Sequence, residues 1–376
     1  MKLIHNHYAS ILGFVVFFVI ALSKITLGPD ELTHLEIGTI FLNEGIYTNT
    51  KIHPLLSIFS ASINQLINSP LMTYKIIYGF TGALLSLSIF KILEEFMLYQ
   101  HDIKKVHFFV ILTPGILLFS LYSISNIFYT AIAYYSIYMT YLAFKKDSYM
   151  HLIFAGILLG LSYLARFEGL ILFISLISIL IFIKLFIDRS LKIYSQIIIL
   201  FSSFLVCVLP WHIYLFSNDL IFSNIIYGGY NSGIWEDGIS KFLIGDNKIL
   251  FDEFNLITHF LMPIGKNIVL YSEAISNVRT FPFFFLPFIV FGLYELKYSN
   301  KLYIFIAPFL ATLTYLFFYV EARYVTAAIP VLSILAGLGI VNLLKNHITK
   351  INFYHIITLV IFMDVIFGIL WIFAEH

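Results

Sequence analysis

Residues 9–27, ASILGFVVFFVIALSKITL, form an apolar run that ends directly before the polar stretch GPDELTH at residues 28–34. A helix needs about 20 mostly apolar residues to cross a bilayer, and this run has that length. We therefore interpret it as an uncleaved first membrane span that places the polar stretch at the membrane edge. Lys2 before the run and Ala21-Leu22-Ser23 near its end are also typical of a signal peptide.

The composition of the whole chain indicates its class. Of the 376 residues, 60% are hydrophobic and 11% are charged, whereas soluble domains carry about 25% charged residues. A formal net charge of +1 argues against a nucleic-acid partner. We expect an all-α polytopic membrane protein, organised as a single domain over residues 1–376 and surrounded by membrane lipids.

The apolar segments predict about 11 transmembrane helices. Their ranges are 9–27, 74–93, 107–122, 124–144, 151–165, 168–187, 193–216, 281–297, 301–319, 323–344 and 353–373. The apolar stretch 54–67 has only 14 residues, a length typical of an interfacial or re-entrant helix rather than of a span.

Basic residues predict the topology. With a cytoplasmic N-terminus and 54–67 not spanning, 13 of the 22 Lys and Arg residues lie in short cytoplasmic connections. The other nine lie on the outer side, five of them in two long outer loops, residues 28–73 and 217–280. The second loop is too long to be a simple connection, and its second half, 250–271, has the pattern of an interfacial helix. We expect a plasma-membrane protein, or one of the endoplasmic reticulum, with its site on the outer or lumenal face.

This topology gathers the chemically reactive side chains on the outer face. They are Asp30, Glu31, His34, His53, Arg166, Glu168, Glu321 and Arg323. Ionisable groups at a membrane are expensive, so such a cluster is typical of a functional site. We therefore predict one site built from several distant segments.

The residue types in this cluster indicate a chemistry. Two neighbouring carboxylates, Asp30 and Glu31, suit general-base catalysis. The guanidinium groups of Arg166 and Arg323 pair bidentately with phosphate oxygens. Further substrate-binding candidates are Lys51, His34, His53, Tyr324 and Trp235, the last as a ring that stacks on sugars.

Each candidate also has a structural interpretation that stays open. Asp30 and Glu31 suit the first turn of a helix, where acids favour the dipole. The other structural interpretations are ion pairs Arg166–Glu168 and Glu321–Arg323, a helix start at His53-Pro54, and Trp235 as an interfacial anchor. A zinc site from His34, His53 and a carboxylate matches no standard spacing, so no metal or other cofactor is indicated.

Several motifs together carry a resemblance to a known family. They are Asp30-Glu31 with His34 one turn later, Gly45-Ile46-Tyr47, His53-Pro54-Leu55, GILLGLSYLARFEG at 156–169 and EARY at 321–324. This order resembles the polyprenyl-phosphate-sugar-dependent glycosyltransferases of the C-type fold. That group includes the dolichyl-phosphate-mannose protein mannosyltransferases and the lipid A aminoarabinose transferases. Leu55 departs from the family pattern, which often has a second proline there, and His34 stands where an aromatic residue is common.

The resemblance implies an inverting hexosyl or pentosyl transferase with a polyprenyl-phosphate-linked sugar as donor. Asp30 would be the general base, Glu31 would support it or bind the acceptor, and Arg323 would contact the donor phosphate. The acceptor would be a hydroxyl on a protein, lipid or glycan. Two other hypotheses stay open: a transporter or flippase of a lipid-linked or small polar substrate, and an inactive subunit of a glycan-assembly complex.

Overall fold

The computed structural model describes residues 2–49, 52–96, 100–183, 192–218, 220, 262–277, 279–296, 302–317, 322–346 and 352–375. The secondary structure of these residues is helical, as predicted. The helices are α1 Lys2–Leu22, α2 Pro29–Glu44, α3 Pro54–Ile67, α4 Pro70–Phe96, α5 Gln100–Ile111, α6 Pro114–Tyr122, α7 Ile124–Lys146, α8 Tyr149–Ala165, α9 Glu168–Phe182, α10 Ile193–Ser217, α11 Met262–Ser276, α12 Leu286–Leu296, α13 Leu302–Leu313, α14 Ile329–Asn346 and α15 Phe353–Glu375. Short 3₁₀ segments are Phe283–Phe285, Thr314–Phe317 and Ala322–Ala328.

The predicted count of about 11 spans is not confirmed. Among the described residues, three helices are long and apolar enough to cross a membrane: Pro70–Glu95, Ile193–Ser217 and Arg323–Leu344. The predicted span 107–122 is two helices that bend by 40° at a break before Pro114, and together they count as one further span. A proline lacks the N–H that a continuous helix needs, which explains the break. Most other predicted spans appear as shorter apolar helices.

The segment 28–73, predicted as the first outer loop, contains a helical pair, α2 against α3. Gly38 makes this packing close, because a Cβ at that position would overlap the backbone carbonyl of Ser57 on α3. α2 ends at Gly45, whose φ of +74° is the left-handed conformation that glycine adopts readily. α3 covers 54–67 as a 14-residue helix, which confirms the predicted helix and its length.

The segment before α14 returns the chain to the first loop. Its 3₁₀ turn packs against α7, where the Tyr134 hydroxyl donates to the carbonyl of Ala327 at 2.8 Å. The same hydroxyl accepts from the backbone N–H of Val331 at 3.0 Å. One buried tyrosine thus fixes both sides of the helix start, and this places Arg323 opposite the beginning of α2.

Candidate functional site

A cavity of about 330 Å³ lies where the first loop, the start of α7, the α8–α9 junction and the 3₁₀ turn meet. Its walls are formed by Asp30, Thr33, His34, Ile52, His53, Ser125, Asn126, Ala165, Arg166, Phe167, Glu168, Arg323 and Tyr324. This volume is in the range of pockets that bind small ligands. The structure therefore brings together residues that are almost 300 positions apart in sequence.

Asp30 and Arg323 form an ion pair at the cavity. The Nη1 of Arg323 lies 3.2 Å from the Oδ2 of Asp30, and both side chains are partly exposed, 36% and 47% respectively. Asp30 is in the first turn of α2, after the helix N-cap Gly28 and Pro29, where the helix dipole favours a carboxylate. This pair is accessible to a ligand that approaches from outside the protein.

Arg166 is in a different environment, because it belongs to a buried network. Its Nε donates to Glu168 at 2.7 Å, its Nη1 donates to Ser125 at 3.1 Å and its Nη2 donates to Tyr315 at 3.1 Å. The Tyr315 hydroxyl also donates to Glu168. The geometry therefore matches the structural ion pair of the sequence analysis, and the phosphate role of Arg166 stays a prediction.

Tyr324 connects the two arginines. Its ring stacks on Tyr315 with the centroids 4.6 Å apart and an angle of 8° between the planes. The guanidinium carbon of Arg323 lies 5.2 Å from the ring centroid, and that of Arg166 lies 5.6 Å from it. Both distances are those of cation–π contacts. The buried network thus supports the ring on which the accessible arginine rests.

Glu31 is buried and makes structural contacts. Its Oε2 accepts from the backbone N–H of Gly28 at 2.5 Å, which is the helix-capping role open in the sequence analysis. Its Oε1 accepts from Tyr78 at 2.5 Å and also pairs with Lys24. Glu31 is absent from the cavity wall. It anchors the first turn of α2 to α1 and α4, and its proposed contact with the acceptor stays a prediction.

Two histidines line the inner part of the cavity and are neutral. Burial, with a smaller contribution from the charge of Arg166, lowers the pKa of His34 to about 4. The same two causes, in the same order, lower the pKa of His53 to about 3. His34 Nδ1 lies 2.8 Å from the hydroxyl of Ser57. His53 is also the N-cap of α3, as the His53-Pro54 interpretation expected.

Three candidates of the sequence analysis, Lys51, Trp235 and Glu321, lie outside the described residues, as does most of the loop 217–280. Its described end is the helix Met262–Ser276, which overlaps the helix expected at 250–271. The sequence analysis missed Tyr315 and Asn126. The polar residues Ser123, Ser125 and Asn126, at the boundary between two predicted spans, were a signal for Asn126, but Tyr315 lies inside an apolar run and gave none. Among the described residues, no three His, Cys, Asp or Glu side chains lie close enough to hold a metal ion.

No protein-family model and no curated protein sequence matches the chain. The crystal structure of an Archaeoglobus fulgidus oligosaccharyltransferase in complex with Zn and sulfate has a TM-score of 0.61 at 13% identity, over 96% of this chain and 51% of that one. The archaeal oligosaccharyltransferase AglB of Archaeoglobus fulgidus, in complex with an inhibitory peptide and a dolichol-phosphate, has a TM-score of 0.52 at 14% identity, over 98% and 54%. An Archaeoglobus fulgidus oligosaccharyltransferase tethered to an acceptor peptide with the NVT sequon has a TM-score of 0.55 at 13% identity, over 96% and 53%.

The chain spans about half the length of these neighbours. At this identity the likeness shows the fold alone, and that fold is the C-type fold. The fold class expected from the first-loop motifs is therefore confirmed. The mannosyltransferase subgroup is finer than this likeness and stays a prediction.

Proposed function

We propose that this protein is a membrane glycosyltransferase that moves a sugar, with inversion, from a polyprenyl phosphate to an acceptor hydroxyl. The observation that carries the proposal is the Asp30–Arg323 pair at the cavity. A general base and a phosphate ligand are the two groups that this reaction needs from the protein. Here they come from opposite ends of the chain and face the same space.

The donor class follows from the fold and from Arg323. One neighbour of the same fold is described in complex with a dolichol-phosphate. The Arg323 guanidinium is partly exposed and rests on the ring of Tyr324, and a guanidinium is well suited to bind phosphate oxygens. Arg166 is less suited to this role, because Glu168, Ser125 and Tyr315 already occupy its donors.

The proposed reaction is a single displacement at the anomeric carbon. The acceptor oxygen forms a bond to this carbon while the bond from the carbon to the phosphate oxygen breaks. The hydroxyl proton goes to the carboxylate of Asp30, and the polyprenyl phosphate leaves with the electron pair. Arg323 stabilises the charge that develops on this leaving group. Attack opposite to the leaving group inverts the configuration.

The ion pair also gives the reaction an order. Asp30 is held by Arg323 through its Oδ2. A donor phosphate competes for the same guanidinium and displaces the carboxylate. Asp30 is then free to accept a proton from the acceptor. Donor binding thus precedes base catalysis, which limits reaction with the wrong partner.

Glu31 and Arg166 are positioning residues in this scheme. Glu31 holds the first turn of α2 through Gly28, Lys24 and Tyr78, and so fixes the backbone that carries Asp30. Arg166 holds Tyr315, on which the ring of Tyr324 stacks. Neither residue needs to touch the reacting atoms.

The test is an assay of the purified protein with a panel of polyprenyl-phosphate sugars, including dolichyl phosphate mannose, and mixed peptide, lipid and glycan acceptors. We expect release of polyprenyl phosphate, with Asp30→Asn slower by about 10²–10⁴-fold, the usual contribution of a general base. Glu36→Gln is the matched control, an exposed carboxylate on the same helix. Wild-type turnover by Asp30→Asn, or no binding of any panel member by the wild type, would refute the proposal.

A further inference from the structure

The inner wall of the cavity contains a histidine nitrogen that has no partner. His53 is about nine-tenths buried and lines the cavity. Its Nδ1 lacks a hydrogen-bond partner among the described residues. Buried polar atoms in proteins are nearly always satisfied, and an exception needs an explanation. A bound ligand that donates a hydrogen bond is such an explanation.

The tautomer of His53 follows from its other contact. The ring has a hydrogen bond with the backbone of Tyr163 that favours the protonated form, so the nitrogen involved donates to a carbonyl. Because Nδ1 has no partner, this donor is Nε2. A neutral imidazole with its hydrogen on Nε2 has a bare lone pair on Nδ1. This atom accepts hydrogen bonds and repels the oxygens of a phosphate.

His34 offers the complementary group. The Ser57 hydroxyl accepts a hydrogen bond from Tyr47 at 3.1 Å, so its own hydrogen is free to go to Nδ1 of His34, 2.8 Å away. A neutral His34 then carries its hydrogen on Nε2 and is a donor at the cavity wall. Asn126 adds an acceptor. Its amide nitrogen donates to Ser123, so its amide oxygen is the group that can accept a hydrogen bond from a ligand.

We propose that His34, His53 and Asn126 form a subsite for the hydroxyl groups of the donor sugar, separate from the phosphate position at Arg323. The three side chains are uncharged and provide one donor and two acceptors in a small space. A hydroxyl both donates and accepts, so this set matches a sugar and not an anion. The subsite rests on the proposed function, and it assigns His53, a substrate-binding candidate of the sequence analysis, to the sugar and not to the phosphate.

The experiment measures the affinity of purified protein for two lipids. One is dolichyl phosphate, and the other is the dolichyl-phosphate sugar that the wild type binds most tightly in the panel. The ratio of the two affinities reports the sugar contacts alone. Two His53 variants distinguish the roles of the two ring nitrogens. His53→Asn places a polar atom near the position of Nδ1, and His53→Gln places one near the position of Nε2.

We expect His53→Gln to keep the bond to Tyr163 and to lower the affinity ratio on the order of tenfold, the usual net effect of one hydrogen bond. His53→Asn should keep most of the ratio, and both variants should bind dolichyl phosphate as the wild type does. Thermal unfolding identifies a variant that fails to fold. In that case variants of His34 give the same test with the opposite pattern, because its proposed sugar contact is through Nε2. His34→Gln keeps a polar atom near Nε2 and should keep the affinity ratio. His34→Asn lacks this atom and should lose the ratio.

The outcomes separate the two proposals. A His53→Gln ratio equal to that of the wild type overturns the subsite and leaves the glycosyltransferase proposal intact. Equal losses for both lipids also overturn it, because they assign His53 to the phosphate. A wild-type protein that binds neither lipid refutes the proposed function, and the subsite with it.

Discussion

The two arginines of the cavity have the same charge and opposite environments. Arg323 is partly exposed and holds one carboxylate, Asp30, at 3.2 Å. Arg166 is buried and shares its donors among Glu168, Ser125 and Tyr315. An exposed pair is weak and easily exchanged, whereas a buried pair is costly to break. The difference suggests that the first pair changes partners during function and that the second maintains the shape of the site.

The largest expected difference between the two pairs is in stability. Glu168→Gln leaves the Arg166 charge buried without its counter-ion, which typically costs about 3–5 kcal/mol. Asp30→Asn removes an accessible charge and should cost less than about 1 kcal/mol. Thermal or denaturant unfolding in one detergent compares the two variants. Equal losses of stability would mean that the two environments do not differ energetically.

The next difference is in donor binding. Arg323→Ala should lower the affinity for dolichyl phosphate by about 10–100-fold, since hydrogen bonds to charged groups contribute about 1.5–3 kcal/mol. Arg323→Lys keeps the charge without the bidentate geometry and should lie between this variant and the wild type. Both should unfold at nearly the wild-type temperature. Loss of stability with unchanged lipid affinity would assign Arg323 a structural role.

A third difference is in pH dependence, which should come from the buried half of the site. The pKa values of His34 and His53 are lowered to about 4 and about 3, so below about pH 6.5 the unfolded chain binds protons that the folded chain does not. Stability is therefore retained above that pH and falls progressively below it. From pH 7 to 5 each histidine should contribute about 2 kcal/mol of loss. His53→Gln should remove its share of this loss, as measured by denaturant unfolding at pH 7 and pH 5.

The smallest expected effect concerns the competition at Arg323. Because Asp30 pairs with the guanidinium of Arg323, Asp30→Asn should bind dolichyl phosphate about two- to fivefold more tightly, the equivalent of an exposed ion pair. The same variant should turn over about 10²–10⁴-fold more slowly, so tighter binding and slower turnover occur together. Glu36→Gln is again the control. Unchanged or weaker binding by Asp30→Asn would mean that donor and carboxylate do not compete.

Several elements were readable from local sequence. The apolar runs predicted an all-helical membrane fold, and Pro29 and Pro54 indicated helix starts that the structure confirms. The short length of 54–67 indicated a helix of that size. These signals depend on neighbouring residues only, because helix starts, proline breaks and apolar periodicity are local properties of the chain.

The different roles of the residues at the cavity could not be predicted from sequence. Asp30 and Glu31 are adjacent and chemically alike, yet one faces the cavity and the other is buried among Gly28, Lys24 and Tyr78. Their directions depend on how α2 packs, which no local pattern contains. The span count is not confirmed for a related reason: hydropathy measures composition and does not detect where a helix bends or tightens to a 3₁₀ turn.

The sequence by itself determined the helical membrane class, the first-loop motif and the residue types available for catalysis. Tertiary structure decided which arginine is accessible, which carboxylate is a helix anchor, and that Tyr315 and Asn126 belong to the site. The physical reason is that burial and partner choice set the charge state and accessibility of a side chain. Both arise from contacts between segments as far apart as Asp30 and Arg323, and packing alone brings such segments together.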